Sequence, residues 1–259
     1  MSGALGHPRL HLRSTDSTND RARALAIAGA PHGTLVTASA QTAGRGRQGR
    51  RWSAPPNSSL LASLVLRGTP LPRLLPLIAA VAVCDVAGER ALVKWPNDIV
   101  FVGPHDSHDP HGTPGEGARG DGGAQNEGVM AKLAGILAEG RPQEGWAVLG
   151  VGLNVAVRLE DLPAELRDTA ATLGESPAAI EPLLARLLSA LGRRLAEPSE
   201  ALLEAYRARD ALRGREIAWS GGSGYADGID GEGRLVVALG AGGHTALDAG
   251  EVHLRRLTS

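Results

Sequence analysis

A nonapeptide, Gly44-Arg45-Gly46-Arg47-Gln48-Gly49-Arg50-Arg51-Trp52, sets four arginines among three glycines between two short apolar runs, residues 34–38 and 59–66. Short apolar runs of this kind read as buried strands. The chain is thereby constrained to a sheet that displays a basic loop. Guanidinium groups present a rigid, permanently charged fork that matches carboxylate and phosphate oxygens. Glycine lets backbone approach a ligand closely or take positive φ. A solvated basic turn and a nucleic-acid-binding arginine-glycine segment are the alternatives. The segment occurs once and has ordered flanks, which favours a lid over a small anionic ligand.

Around this loop the pattern mixes helices and strands. Ser17-Thr18-Asn19-Asp20 is a helix-entry signal before residues 21–28, and Gly29 is a stop. Leu74, Leu75, Ile78, Val81 and Ala82 give residues 71–88 a helical period, and 91–94 read as the next strand. Two further apolar runs, 132–139 and 146–154, are separated by a turn at 140–145 and read as a buried hairpin. Leucines 183, 184, 187, 188, 191 and 195 form one stripe of an amphipathic helix over 182–195 that Pro198 ends, and Ser199 opens another helix to about Asp210. Beyond Gly214, short strands at 216–220, 225–229, 234–239, 244–247 and 252–257 are separated by glycine turns and read as a small β-barrel. The expected organisation is a first domain over 1–212 and a small barrel over 213–259.

Aromatic residues make up only 3% of the chain while hydrophobic residues reach 42%, so the core must be aliphatic. A formal net charge of −1 gives no global footprint for nucleic acid, and no apolar run approaches the length of about 20 residues that a membrane span needs. The expected compartment is the cytoplasm, with neither DNA nor membrane as partner. A single cysteine, Cys84, sits in an apolar helical stretch and reads as a buried thiol rather than a nucleophile. Residues 103–128 are rich in Gly, His, Asp and Pro and read as a disordered insertion; its His105, Asp106, His108, Asp109 and His111 could bind a metal but have no fixed scaffold.

Two more stretches carry chemistry. Lys94-Trp95-Pro96-Asn97-Asp98 is a strand exit with either an Asx turn or, through Asp98, a hard oxygen for nucleotide-bound magnesium. Lys132 heads a run that otherwise reads as buried, where an ammonium group needs a partner such as a bound carboxylate, unless it lies just outside the sheet in water.

Taken in order, Ser17-Thr18-Asn19, the stretch from Gln41 to Trp52, Lys94 to Asp98, Lys132-Leu133-Ala134-Gly135-Ile136-Leu137 and Gly150-Val151-Gly152-Leu153-Asn154 resemble the motifs of biotin protein ligases. Gly228-Ile229-Asp230, Gly233, Leu235 and residues 250–255 look like that family's C-terminal barrel, so the resemblance covers essentially the whole chain. It implies an α+β fold: a mixed sheet flanked by helices, like the class II aminoacyl-tRNA synthetases, followed by the small barrel. It also implies condensation of biotin with ATP, with Mg2+, to biotinyl-5′-AMP, and transfer to a lysine of a biotin carboxyl carrier protein. Only 16 residues precede Ser17, too few for the DNA-binding domain of bifunctional members. A homodimer is left open, and lipoate-protein ligase is the alternative activity.

By the same resemblance, Lys132 would bridge the biotin carboxylate and α-phosphate, while Arg45 and Arg47, with backbone at Gly44 and Gly46, would hold carboxylate and phosphate. Ser17, Thr18, Asn19 and Gln41 would bind biotin. Arg50, Trp52, Asn97, Asp98 and Asn154 would serve the nucleotide, with Asp98 also the magnesium ligand.

Overall fold

A computed structural model describes residues 5–68, 72–103, 129–240, 242–248, 250 and 252–254. The expected insertion and its histidines lie outside the described residues from 104 to 128, as do residues 255–257 of the last expected strand.

The chain runs through β1 (Arg9–Leu12), α1 (Thr18–Ile27), β2 (Leu35–Ala38) and β3 (Ser59–Arg67) before a 3-10 turn leads into α2 (Leu75–Ala87). It continues through β4 (Ala91–Lys94), β5 (Asp98–Gly103), β6 (Val129–Arg141) and β7 (Trp146–Asn154), then α3 (Ala164–Arg167), α4 (Ile180–Ala196) and α5 (Ser199–Arg207). Seven strands form one sheet in the order β1-β2-β3-β7-β6-β5-β4. Only β1 and β2 run parallel; the other neighbours are antiparallel, which makes the sheet mixed.

Side-chain alternation along the central strands decides what each face does. On β3, Leu60, Ala62, Leu64 and Leu66 join α2, α4 and α5 in the main core, as do Ala147, Leu149, Val151 and Leu153 of β7. The residues between them face the other way. There Val65 and Val148 pack under Ala22 and Ala26 of α1, while Ser59, Ser63, Gly150, Gly152 and Asn154 occupy the alternate positions of the same strands. A sheet that is greasy on one face and small or polar on part of the other leaves room for a ligand on the second.

The expected helices and the hairpin at 132–154 are present, but β1 and β5 were not anticipated. β5 turns the expected strand exit at 94–98 into a tight hairpin, in which Lys94 pairs with Asp98. β6 also begins earlier than expected, at Val129, so Lys132 lies inside the strand rather than at its head.

β8 (Glu216–Trp219), β9 (Gly222–Ile229), β10 (Leu235–Ala238), β11 (His244–Leu247) and β12 (His253–Leu254) build a second, antiparallel sheet in the order β11-β10-β9-β8-β12. Ile217, Ala226, Leu235 and Val237 belong to the same buried cluster as α2 and the large sheet. Trp95 Nε1 donates to Gly233 O at 3.1 Å across the junction.

Candidate active site

The polar face of the large sheet opens into a cleft of about 950 Å³, its open mouth included. α1 supplies Ser17, Thr18 and Asn19 from its N-terminal end, and Gln41 follows β2. The arginine-glycine loop supplies Arg45, Gly46, Arg47, Arg50 and Trp52, and the β4–β5 turn supplies Asn97 and Asp98. Lys132 completes the set from β6. Four stretches far apart in sequence, 17–19, 41–52, 97–98 and 132, thus converge on one cavity. Among the described residues, no three His, Cys, Asp or Glu side chains gather to hold a metal ion.

A bulge places Lys132. Opposite β5, Ala134 pairs with Ile99 but Lys132 pairs with Val100, so Leu133 is the extra residue. That one-residue slip turns Lys132 onto the same face as Asp98 and Gly135, as bulges do when they re-aim a side chain. The Lys132 ammonium lies 2.7 Å from Asp98 Oδ1. Its expected need for an anionic partner is met by a carboxylate from its own sheet.

Glycines make the floor. Gly135 and Gly152 pair across β6 and β7, and the Trp52 indole lies on them: a β-carbon on Gly152 would come within 2.7 Å of the ring. A β-carbon on Gly150 would overlap the Asn19 side-chain oxygen. Trp52 Nε1 is buried without a hydrogen-bond partner, an uncommon state for a donor. The loop closes on itself, with Gly46 N donating to Arg50 O at 2.7 Å and Trp52 N to Gly44 O at 2.9 Å.

Ser17 occupies the N-cap position of α1 with extended backbone, yet its side chain makes no capping hydrogen bond. Instead the Thr18 N–H donates to Gln41 Oε1 at 2.7 Å, and the Thr18 hydroxyl donates to the same oxygen at 3.0 Å. The Ser63 hydroxyl lies 2.9 Å from Thr18 Oγ1 and 2.6 Å from Asn19 Oδ1. These bonds fix the polar side chains of one end of the cleft.

The cations differ in how they are satisfied. Arg47 donates to the neutral Asn97 Oδ1 at 3.1 Å, and burial pulls its pKa down, with Asp98 opposing and Arg50 adding to the fall. Lys94, which the sequence reading left without a role, also lines the cleft; burial lowers its pKa, Asp98 opposes, and Lys132 and Arg50 add to the lowering. Arg45 is different: its guanidinium lies between Asp20 and Glu139 at 2.7 and 3.0 Å. Expected to hold a ligand anion, Arg45 lines the cleft with its guanidinium met by these two carboxylates of the chain itself.

Two other expected residues do not reach the cavity. Gly44 lies behind it, where a side chain would strike Gln41 Nε2 and the Trp52 carbonyl. Asn154 is buried, donates to Ala171 O at 2.9 Å and accepts from Ser59 at 3.3 Å, so it pins the 171 segment instead. Conversely, Lys94 and the three floor glycines stood within motifs already singled out. Their alternation with core residues was the available signal.

The family model for the biotin/lipoate A/B protein ligases matches residues 11–155, more than half of the 259. The chain belongs to that family. Over 263 aligned residues, covering 93% of this ligase-family chain and 87% of the relative, it is 34% identical to a biotin–[acetyl-CoA-carboxylase] ligase of Mycobacterium tuberculosis. It is also 34% identical over 182 residues to the bifunctional ligase/repressor BirA of Bacillus spizizenii; that match takes in 66% of this chain and 48% of BirA, about half its length. Its fold is shared with a biotin protein ligase from Aquifex aeolicus determined with biotin and ATP, at a TM-score of 0.72 and 23% identity over 96% of this chain and 99% of that one.

Proposed function

We propose that this family member activates biotin with ATP, forming biotinyl-5′-AMP, and passes biotin to one lysine of a biotin carboxyl carrier domain. The observation that carries the reading is the placement of Lys132 and Arg47 over a glycine floor, in a cleft whose opposite end is lined by neutral hydrogen-bonding groups.

The chemical difficulty is repulsion. A biotin carboxylate oxygen must attack the α-phosphorus of ATP as the bond to the β-phosphate breaks and pyrophosphate leaves. Two like unit charges about 4 Å apart repel by on the order of 4 kcal/mol at an effective dielectric of about 20. Cationic donors at both groups offset most of that, equivalent to roughly two to three powers of ten in rate. Lys132 and Arg47 take this task, and Lys94, beside Asp98 and Lys132, adds positive charge to the same region. Ser17, Thr18, Asn19 and Gln41 orient the ureido end of biotin. The Trp52 indole and the Asn97–Asp98 turn face the nucleotide, with Arg50 on its phosphates.

Magnesium fits this site only as an ion carried by the ATP phosphates. Among the described residues, Asp98 is the one carboxylate lining the cleft, and one of its oxygens is taken by Lys132. A small hard ion that keeps most of its water and phosphate ligands needs no more than one such oxygen. When bound it would screen the phosphate charge.

In the second step the carrier lysine amine attacks the acyl carbon and AMP leaves, so the enzyme needs no nucleophile of its own. The buried Cys84, its thiol pushed up to about 12 by burial, is consistent with that economy. We also propose the synthetase-like description of the large sheet, closure of the C-terminal strands into a small barrel, and a division near residue 212. The antiparallel order of β8–β12 supports the barrel.

The test is incubation of the protein with MgATP, a carrier domain, and either biotin or lipoate. Intact mass should show one biotinyl group added to the carrier and no lipoyl adduct. An unlabelled carrier, or labelling by lipoate alone, overturns the proposal.

A further inference from the structure

Arg45 lines the cleft and bonds two carboxylates. Its Nη1 lies 2.7 Å from Asp20 Oδ1, and its Nη2 lies 3.0 Å from Glu139 Oε1, with Oε2 of the same carboxylate 3.4 Å from Nη1. Asp20 stands in the first turn of α1 and Glu139 near the end of β6, so one side chain fastens the loop to two elements distant in sequence. Neither acid lines the cleft. Each has a further donor: Arg23 donates to the same Asp20 Oδ1 at 3.0 Å, and Asn19 Nδ2 donates to Glu139 Oε2 at 3.0 Å.

Two carboxylates around one guanidinium leave no surplus positive charge for a third anion. Burial alone would lower the Arg45 pKa, but the charges of Glu139 and Asp20 outweigh it and raise the value. Arg47, two residues on, donates among the described residues to a neutral amide, Asn97 Oδ1, rather than to a carboxylate. The same Glu139 carboxylate also orients Asn19. Because Nδ2 is spent on Glu139 and Leu137 O, Oδ1 is the atom left to accept from Ser63.

We propose that Asp20 and Glu139 are positioning residues that grip Arg45 and so hold the arginine-glycine loop closed over the acyl-adenylate. Arg45 is then a fastener for the loop, and Arg47 and Lys132 meet the ligand anions. This assignment of what the loop covers rests on the ligase reading, whereas the grip itself does not.

The experiment is a double-mutant cycle in the full-length protein preloaded with biotinyl-5′-AMP, following release after a chase with unlabelled ligand. Arg45→Gln and Glu139→Gln should each speed release by on the order of fivefold, as for a partly exposed ion pair worth about 1 kcal/mol. The double variant should release no faster than the faster single one. Asp20→Asn, which leaves the Asn19 bonds in place, should act in the same direction, and exchanging the charges with Arg45→Glu and Glu139→Arg should recover part of the retention. The loss should fall on release and KM more than on kcat. Additive effects, or faster release in Arg45→Gln with release unchanged in Glu139→Gln, would place Arg45 on the ligand and overturn the proposal. Should the wild-type protein form no adenylate, the ligase reading fails separately. The grip is then judged on hydrogen exchange of amides 44–52 without ligand, which Glu139→Gln and Arg45→Gln must accelerate equally; exchange unchanged in either one rejects it.

Discussion

Lys132 owes its position to a single extra residue in a strand. Its identity and surroundings already showed an ammonium group that needed a partner, but the bulge at Leu133 depends on how β6 registers against β5, which no local pattern specifies. The same holds for Arg45: four arginines in one loop look alike in sequence, and only the fold shows that this one meets two carboxylates. Gly152 is the reverse case, a residue whose smallness within an apolar run was visible before its reason was. Gly152→Val should push Trp52 off the floor and weaken biotinyl-5′-AMP retention by more than about tenfold, measured by chase kinetics, because the added carbons have no space beneath the ring. Retention equal to wild type would show that the ring's seat does not matter. Cys84 was legible as a buried thiol. With its pKa raised to about 12, the thiolate stays scarce at every pH below that value. Iodoacetamide should therefore leave the native protein unlabelled at pH 9 and label it in urea; labelling at equal rates in both would contradict the burial.

Elements with a strong period were readable, and those set by pairing were not. The leucine stripe of α4 emerges as the helix Ile180–Ala196, with Leu183, Leu184, Leu187 and Leu191 buried. β1 and β5 escaped notice. β1 is a four-residue strand whose side chains are mostly exposed, so it carries little apolar signal. β5 abuts the Trp95-Pro96-Asn97 turn, where a proline motif masks the continuation of the chain into a hairpin. Between elements, Arg194 of α4 clamps Asp85 of α2 with a two-pronged contact at 2.9 and 3.0 Å and reaches Glu197 at 2.8 Å. Both Arg194 and Asp85 side chains are only 20% exposed, so loss of one partner leaves the other poorly solvated. Arg194→Ala should cost about 1–3 kcal/mol in urea unfolding. A midpoint within error of wild type would mean that the clamp adds nothing to α2–α4 packing.

At the scale of the whole molecule, a net charge of −1 conceals a strongly positive cleft, since the acids that balance the arginines sit elsewhere on the surface or grip Arg45. Composition could exclude a generally basic protein but could not locate charge. Nor could it reveal that the C-terminal sheet shares its core with α2: Gly233 packs where a β-carbon would meet Leu74 and Leu77 at 2.7 Å, and Ile217, Leu235 and Val237 join the main cluster. One continuous core predicts one cooperative thermal transition by calorimetry for the intact chain; two separated transitions would show that the sheets fold independently. The central claim concerns how the cleft brings two anions together. Biotin-dependent exchange of labelled pyrophosphate into ATP measures that step alone, with no carrier present. The wild-type protein should exchange, and Lys132→Ala should do so at least about tenfold more slowly; exchange by Lys132→Ala at the wild-type rate would contradict the account.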